Sequence, residues 1–372
     1  MAKYIYQNDN WTSFTWDSNA VSMALGEVRL LQGKMLGQIE SLGFLSKEEK
    51  NLETLTLDVI KSSEIEGEKL DYNQVRSSIA RQLGVNTAGL VPSTRDIDGV
   101  VEMMLDATQN YSKVLDESRL FAWHAALFPT GYSGMHKIDV AQYRNEEMQV
   151  VSGAMGKERV HYEAVPAKDV KREMDKFLAW LNNERILLDP VLKSAIAHFR
   201  FIIIHPFDDG NGRIARAISD LLLARSEKSS DRFYSLSNQI RKEKNSYYET
   251  LKRVQHSNGD ISEWILWFLN CLKQALIETS EGMNHIVRKA EFWEKHKDTA
   301  INERQRIMLN RLFDDFFGKL TSSKWAKITK TSSDTALRDI KDLIDKGILK
   351  QDKGGGRSAS YSLIFPSERQ SN

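Results

Sequence analysis

Between Ala197 and Arg225 the chain reads AHFRFIIIHPFDDGNGRIARAISDLLLAR: two apolar stretches of helical spacing, broken by a short loop rich in Gly, Asn and Asp. Pro206 ends the first helix behind His205, and helical periodicity resumes at Arg213. This constrains the segment to a helix, a tight loop and a second helix. The rest of the sequence agrees, with only six prolines in 372 residues, long runs of apolar spacing of three and four, and no internal repeat. The predicted fold class is mainly α with small β pieces.

Helical patterns span Val21 to Leu42, Lys47 to Ile65 and Tyr72 to Leu83, after an aromatic opening segment, YIYQNDNWTSFTW, expected to pack over the core. The loop-like stretch NTAGLVPSTRD puts a boundary near residue 95, giving an N-terminal helical domain over 1–95. A second domain is expected over 96–275, its one clear β element a hairpin in MQVVSGAMGKERVHYEA. A charged helical connector over 276–299 leads to a C-terminal domain over 300–366 and a tail over 367–372. There, Ile301 to Phe317, Ser323 to Thr329 and Ser333 to Lys346 read as three helices, and ILKQDKGGGRSASYSLI as two strands around a glycine turn. That order predicts a winged helix-turn-helix, with Ser333 capping the third helix and Gly347 ending it.

Fifty-two basic residues against fifty-one acidic ones give a net charge of +1, so the whole-chain field does not steer the protein to nucleic acid or membrane. A single cysteine, Cys271, forms no intrachain disulfide and excludes a multi-cysteine zinc site. With no HExxH and no apolar run of about 18 residues, the expectation is a cytoplasmic protein without transition-metal catalysis or a membrane partner.

The chemistry sits in the loop. Gly210 and Gly212 let backbone N–H groups approach a ligand, and the following helix start adds unpaired N–H groups and a positive dipole end. Arg213 and Arg216, three apart, share a helix face and present charged forks to phosphate oxygens. Asp209 offers a hard oxygen ligand suited to Mg²⁺. His205 is left for proton transfer, as an imidazole of reference pKa ~6.5 accepts a hydroxyl proton at neutral pH.

The run HPFDDGNGRIAR matches the Fic-family motif HxFx(D/E)GNGRxxR at every defined position, and the resemblance extends from about Leu120 to Leu269, under half of the chain. The resemblance implies a Fic-type helical core and transfer of AMP from ATP, with Mg²⁺, to a Tyr, Ser or Thr hydroxyl of a target protein. It makes His205 the base and Asp209 the metal ligand. Nucleotide contacts are implied along Phe207, Gly210, Asn211, Gly212, Arg213, Ile214, Ala215 and Arg216. Within that run the Asn211–Gly212 region takes the α-phosphate, Arg213 the β and Arg216 the γ, while Phe207 anchors the loop. The kinase-like Doc branch carries lysine in place of the second glycine, so Gly212 favours AMP transfer. By the same resemblance, Tyr247 or Tyr248 lines the adenine pocket, with Gln255 nearby. The hairpin, through Val150, Val151, Ser152, Gly153, Val160, His161 and Tyr162, is a flap that pairs with the target's backbone, or else a ribbon covering the core.

At the end of the second helical pattern, SSEIEG matches the family's inhibitory motif (S/T)xxxE(G/N) through Ser62, Glu66 and Gly67. Ser62 and Glu66 share a helix face and Gly67 ends the helix, so Glu66 is expected to project and pair with Arg216, holding it from the γ-phosphate. Removal of AMP, or transfer of another phosphate-containing group, stays open. Residues 300–366 carry thirteen Lys/Arg and eight Asp/Glu. Lys350, Lys353 and Arg357 in the wing favour DNA, whereas Asp334, Asp339, Asp342 and Asp345 beside Arg338 and Lys341 favour docking of protein or a homodimer. A nucleotide-sensing transcription regulator is the alternative from another class, and the intact His205 favours the enzyme.

Overall fold

In the computed structural model, residues 3–40, 44–85, 89–152, 159–314, 316, 318–352 and 359–364 are described. They divide into two compact units, Met1–Ser280 and Glu281–Asn372. The first takes in both 1–95 and 96–275.

In the first unit, α1 (Ser18–Glu40) and α2 (Phe44–Ile65) are followed by α3 (Tyr72–Leu83), α4 (Arg95–Gln109) and α5 (Glu117–Leu127). Side-chain caps begin the last three: Asp71 accepts from Gln74 N, Thr94 from Ile97 N and Asp116 from Arg119 N. Two hairpins follow, β1 (Tyr132–Ser133) with β2 (His136–Lys137), and β3 (Gln149–Ser152) with β4 (Arg159–Glu163), both antiparallel. The first was not expected; its two-residue strands are too short to show period-two alternation. Then come α6 (Ala167–Asn182), α7 (Pro190–Ile204), α8 (Asn211–Glu227), α9 (Leu236–Lys242), α10 (Lys244–Val254) and α11 (Ser262–Lys295), the last belonging to this unit as far as Ser280.

The helix pair α7–α8 forms the centre. Asp189 caps α7 and Pro190 opens it, and Phe199, Phe201, Ile203 and Ile204 are fully buried. From Asn211 to Ala224, α8 buries every residue except Gly212, which is partly buried, so its polar residues must find partners inside the protein. Ser194 Oγ donates to the Ser219 carbonyl, tying α7 to α8. The aromatic opening segment does cover this core: Tyr4, Ile5 and Trp11 are buried, Ile5 N donates to the Gln255 carbonyl, and Trp11 Nε1 donates to Glu173.

Helix α2 is built into the same core. Asp58 accepts from Ser237 N and from the Ser235 hydroxyl at the start of α9, and Lys244 Nζ donates to the Ile65 carbonyl that ends α2. Gly67 takes φ +91°, and Glu68 N returns to the Ser63 carbonyl, so the chain turns sharply behind Glu66.

The second unit contains α12 (Glu303–Asp314), α13 (Ser322–Thr329), α14 (Ser333–Asp345) and an antiparallel hairpin, β5 (Leu349–Gln351) with β6 (Tyr361–Leu363). Trp325, Ile340, Leu343 and Met308 lie in its core. Helix α12 starts at Glu303, later than expected, because Asn302 and Gln305 each accept from the other's backbone N–H in a capping box. The cap of α14 is Ser332 and not Ser333: its hydroxyl accepts from Thr335 N. Gly347, at φ +67°, follows that helix. Asp339 is not on the surface with Arg338 and Lys341; it is buried and bound by Arg304 and Asn302, and Asp342 accepts from Gln305 and Lys346. Lys353 and Arg357 lie outside the described residues.

Candidate active site

The loop from His205 to Gly210 is shaped by internal hydrogen bonds. His205 closes α7 in the left-handed region at φ 51°, ψ 59°. Its Nδ1 lies 3.2 Å from the Ile202 carbonyl, which only an Nδ1–H can satisfy, so Nε2 keeps its lone pair. Burial pushes the imidazole pKa down to about 4; Arg144 adds to this, while the Ile202 carbonyl, Glu66 and Asp209 oppose it.

Asn211 closes the loop with both ends of its amide, Oδ1 accepting from Phe207 N at 3.0 Å and Nδ2 donating to the Phe207 carbonyl at 2.7 Å. With the amide engaged in this way, the backbone N–H groups are what Asn211 and Gly212 can offer an anion. Phe207 is fully buried with its ring stacked on His124, centroids 4.2 Å apart. It anchors the loop and presents no surface to a nucleotide. Ile214 and Ala215 are likewise fully buried, so any part they take in holding a nucleotide falls to their backbone.

His124 is a site residue that the sequence reading did not single out. Its Nδ1 accepts from Ala141 N at 3.1 Å, which puts the proton on Nε2, 3.2 Å from the Asp209 carbonyl. Burial holds it neutral, with a pKa lowered to about 4. A lone histidine in an apolar helix carries no spacing signal for such a role. Ser133 was also missed: its hydroxyl donates to Asp209 Oδ2, while Oδ1 accepts from Gly210 N at 2.5 Å. Among the described residues no group of three or more His, Cys, Asp or Glu is placed to hold a metal. A cation at Asp209 would need further oxygens from a ligand.

Arg213 and Arg216 are almost fully buried, and each is held by a carboxylate from the end of α2. Arg216 Nη2 donates to Glu66 Oε1 at 2.7 Å and to the Ser62 carbonyl at 2.9 Å, and Nε donates to Ser62 Oγ at 2.8 Å. Arg213 Nη1 donates to both Glu68 oxygens, at 3.0 and 2.8 Å, with its guanidinium over the Phe128 ring. Arg213 Nε and Arg216 Nη1 are buried without a hydrogen-bond partner. Gly210 sits at φ +81° against Phe128, and a Cβ built on Gly212 would collide with Glu66 Oε1. The Glu66 carboxylate therefore lies against the first turn of α8, where unpaired N–H groups and the helix dipole favour an anion.

Tyr247 is buried with its hydroxyl 2.8 Å from His198 Nε2, whose Nδ1 is 2.9 Å from Ser219 Oγ. Ser219 donates its only proton to the Ala215 carbonyl, so His198 Nδ1–H must donate to Ser219 and Tyr247 O–H to Nε2. Tyr247 thus underpins α8 from within, whereas Tyr248 is 42% exposed and open to a ligand. Gln255 is buried at the end of α10.

In the hairpin, Val150 pairs with Tyr162, Val151 with Val160 and Ser152 with Arg159. Gly153 and the side chains of Val150, Val151, Ser152, Val160 and His161 lie outside the described residues. The Tyr162 side chain points inward, buried against Tyr4 and donating to the Ile203 carbonyl at 2.5 Å, which leaves its backbone for the expected pairing.

Residues 114–223 match the Fic/DOC family and residues 4–85 a domain of unknown function (DUF4172). The protein adenylyltransferase Fic of Nematostella vectensis is 23% identical over 290 residues, 74% of this chain and 63% of that protein. The protein adenylyltransferase Fic of Drosophila erecta is 34% identical over 109 residues, 29% of this chain and 20% of that protein. The chain thus spans less than two thirds of the curated relatives it matches. A Fic family protein from Desulfovibrio desulfuricans G20 shares the fold, with a TM-score of 0.54 at 21% identity over 94% of this chain and 97% of that one. Fic-1 of C. elegans superposes at a TM-score of 0.50 with 20% identity, covering 71% and 73%.

Proposed function

We propose that the Fic/DOC domain at residues 114–223 makes this chain a protein AMP transferase, held in a restrained state by the end of α2. The observation that carries the reading is the placement of His205, its Nε2 unprotonated, beside a helix start flanked by two buried arginines that each retain an unpartnered N–H. Such a cradle suits a polyphosphate, and the base next to it suits a hydroxyl nucleophile.

In the proposed reaction His205 Nε2 takes the proton of a Tyr, Ser or Thr hydroxyl as that oxygen bonds to the α-phosphorus of ATP. The bond from that phosphorus to the bridging oxygen breaks, and pyrophosphate leaves with the electron pair. Backbone N–H groups at Asn211 and Gly212 hold the α-phosphate, and Arg213 and Arg216 the two beyond it. Asp209, held by Ser133 and Gly210, is the residue that would bind Mg²⁺, which when bound offsets charge on the departing phosphates. The β3–β4 hairpin docks the target by backbone pairing.

Glu66 and Glu68 occupy the arginines that the β- and γ-phosphates need, so the nucleotide cannot be gripped in the geometry for in-line attack. The test compares wild type, Glu66→Gly and Glu66→Gly/His205→Ala for transfer of α-phosphate label from ATP to the protein itself and to a cell lysate. Label in Glu66→Gly alone supports the reading. Silence in all three, with ATP bound, rejects it.

We read the second unit as a winged helix and its exposed Arg338, Lys341 and Lys350 as the cations of a docking face. With Asp339 turned inward, that face is more basic than the sequence order suggests, which favours DNA. A salt-sensitive shift of duplex DNA by the full chain tests this, and no shift at low salt points to a protein partner.

A further inference from the structure

Arg144 is 2% exposed and has no carboxylate partner among the described residues; its guanidinium is satisfied by carbonyl groups. Nε donates to the His205 carbonyl at 2.8 Å, and Nη2 reaches the Ile204 carbonyl at 3.4 Å. Nη1 donates to the Glu146 carbonyl at 2.7 Å, and Nη2 also donates to that of Val165. Arg144 N itself donates to the Pro206 carbonyl at 2.9 Å. The acceptors fall into two groups: the end of α7 around the left-handed His205, and the residues just before β3 and just after β4. Tyr162 adds a second tie, from β4 to the Ile203 carbonyl.

We infer that Arg144 is a positioning residue that sets the distance between the hairpin holding the target and the imidazole that takes its proton. The inference rests on the AMP-transfer reading for its consequence. A buried guanidinium is costly to desolvate, and here Glu147 and Asp208 act on it only through space, so the carbonyl dipoles at the negative end of α7 and at both hairpin roots supply its direct hydrogen bonds. Only a planar fork with five N–H donors can serve both groups at once; an ammonium on a single atom can satisfy one group or the other. The nucleotide cradle at α8 uses none of these bonds. Loss of Arg144 therefore leaves ATP binding in place and misplaces the hydroxyl relative to the base, an error that costs about 100-fold in rate for a shift near 1 Å.

The experiment uses the full chain with Glu66→Gly as parent and adds Arg144→Met, Arg144→Lys and Tyr162→Phe. Three quantities are read: label transfer from ATP, ATP affinity with Mg²⁺ by calorimetry, and hydrogen exchange of backbone amides. Arg144→Met is expected to lose about 100-fold in transfer at unchanged ATP affinity, with faster exchange in β3, β4 and the His205 loop and none in α8. Arg144→Lys is expected to stay impaired, and Tyr162→Phe to show a smaller loss of the same kind. Full transfer in Arg144→Lys overturns the inference, because charge alone would then suffice. ATP affinity falling in step with transfer also overturns it, because the defect would be general. A parent that transfers nothing rejects the transferase reading instead; the exchange data then decide, and unchanged hairpin protection in Arg144→Met removes the tie.

Discussion

Glu68 grips Arg213 with both carboxylate oxygens on a single Nη1, two residues past the Glu66 that holds Arg216. The two cations of the α8 cradle are thus restrained by adjacent carboxylates from one helix end. Releasing Glu66 frees a charge-assisted hydrogen bond worth about 1.5–3 kcal/mol, which corresponds to an expected rise in AMP transfer of about 10- to 160-fold. Glu68 is more exposed and its pair is worth less, about 0.2–1 kcal/mol. Glu68→Ala in a Glu66→Gly background should therefore add a further gain of up to about fivefold. Steady-state label transfer checks this, and a loss of activity in the double variant would show Glu68 serving the nucleotide instead of excluding it.

The Ser133–Asp209 contact makes a prediction about the cation. Partners of a metal-binding carboxylate typically tune affinity by about 10- to 100-fold. Ser133→Ala in the Glu66→Gly protein should raise the Mg²⁺ concentration for half-maximal transfer by at least the lower figure while leaving ATP-saturated transfer nearly intact. An unchanged Mg²⁺ requirement would separate Asp209 from the metal.

His198 Nε2 depends on one donor, the Tyr247 hydroxyl. Tyr247→Phe leaves that buried acceptor unpaired and should cost about 1–3 kcal/mol of stability. Denaturant melting of the full chain, following the first unit, reads the loss. A neutral substitution would mean that the ring alone matters there.

Acid should weaken the protein earlier than its carboxylates alone would dictate. Burial lowers His124 and His205 to about 4 and His198 to about 3, against about 6.5 in an unfolded chain. Between about pH 6.5 and about 4 the unfolded chain binds more protons at these sites than the folded one, so stability falls as pH falls through that window. Denaturant midpoints across it should decline, and His124→Gln should flatten the slope. A midpoint constant down to about pH 4.5 would contradict the buried neutral state of these rings.

The motif HPFDDGNGRIAR and its flanking helices were legible because apolar periodicity, a Pro stop and glycines each leave a local signature. Of the contacts between distant residues, the Glu66–Arg216 pair was expected through the family's inhibitory motif, and those without such a motif escaped. His124 and Ser133 reach Asp209 across 85 and 76 residues, and Glu68 reaches Arg213 across 145. Short spacing cannot encode such contacts. Which way the Tyr162 side chain faces was not legible either, because alternation in a strand tells which residues share a face and not which face is buried. The α14 cap shows a smaller limit: Ser332 and Ser333 are adjacent, and only the bond to Thr335 N selects one of them.

The restraint on Arg213 and Arg216 comes from within the same polypeptide, and its position in that polypeptide has a consequence for synthesis. Glu66 lies 150 residues ahead of Arg216, and Glu68 lies 145 ahead of Arg213. Chains leave the ribosome N-terminus first, so both carboxylates are made before either cation exists. A separate inhibitor subunit can be outnumbered, diluted or degraded; a helix fused into the core keeps a one-to-one ratio at every expression level. On the proposed reading each molecule carries its restraint from synthesis onward, and the cell would have to act on the finished protein to release it.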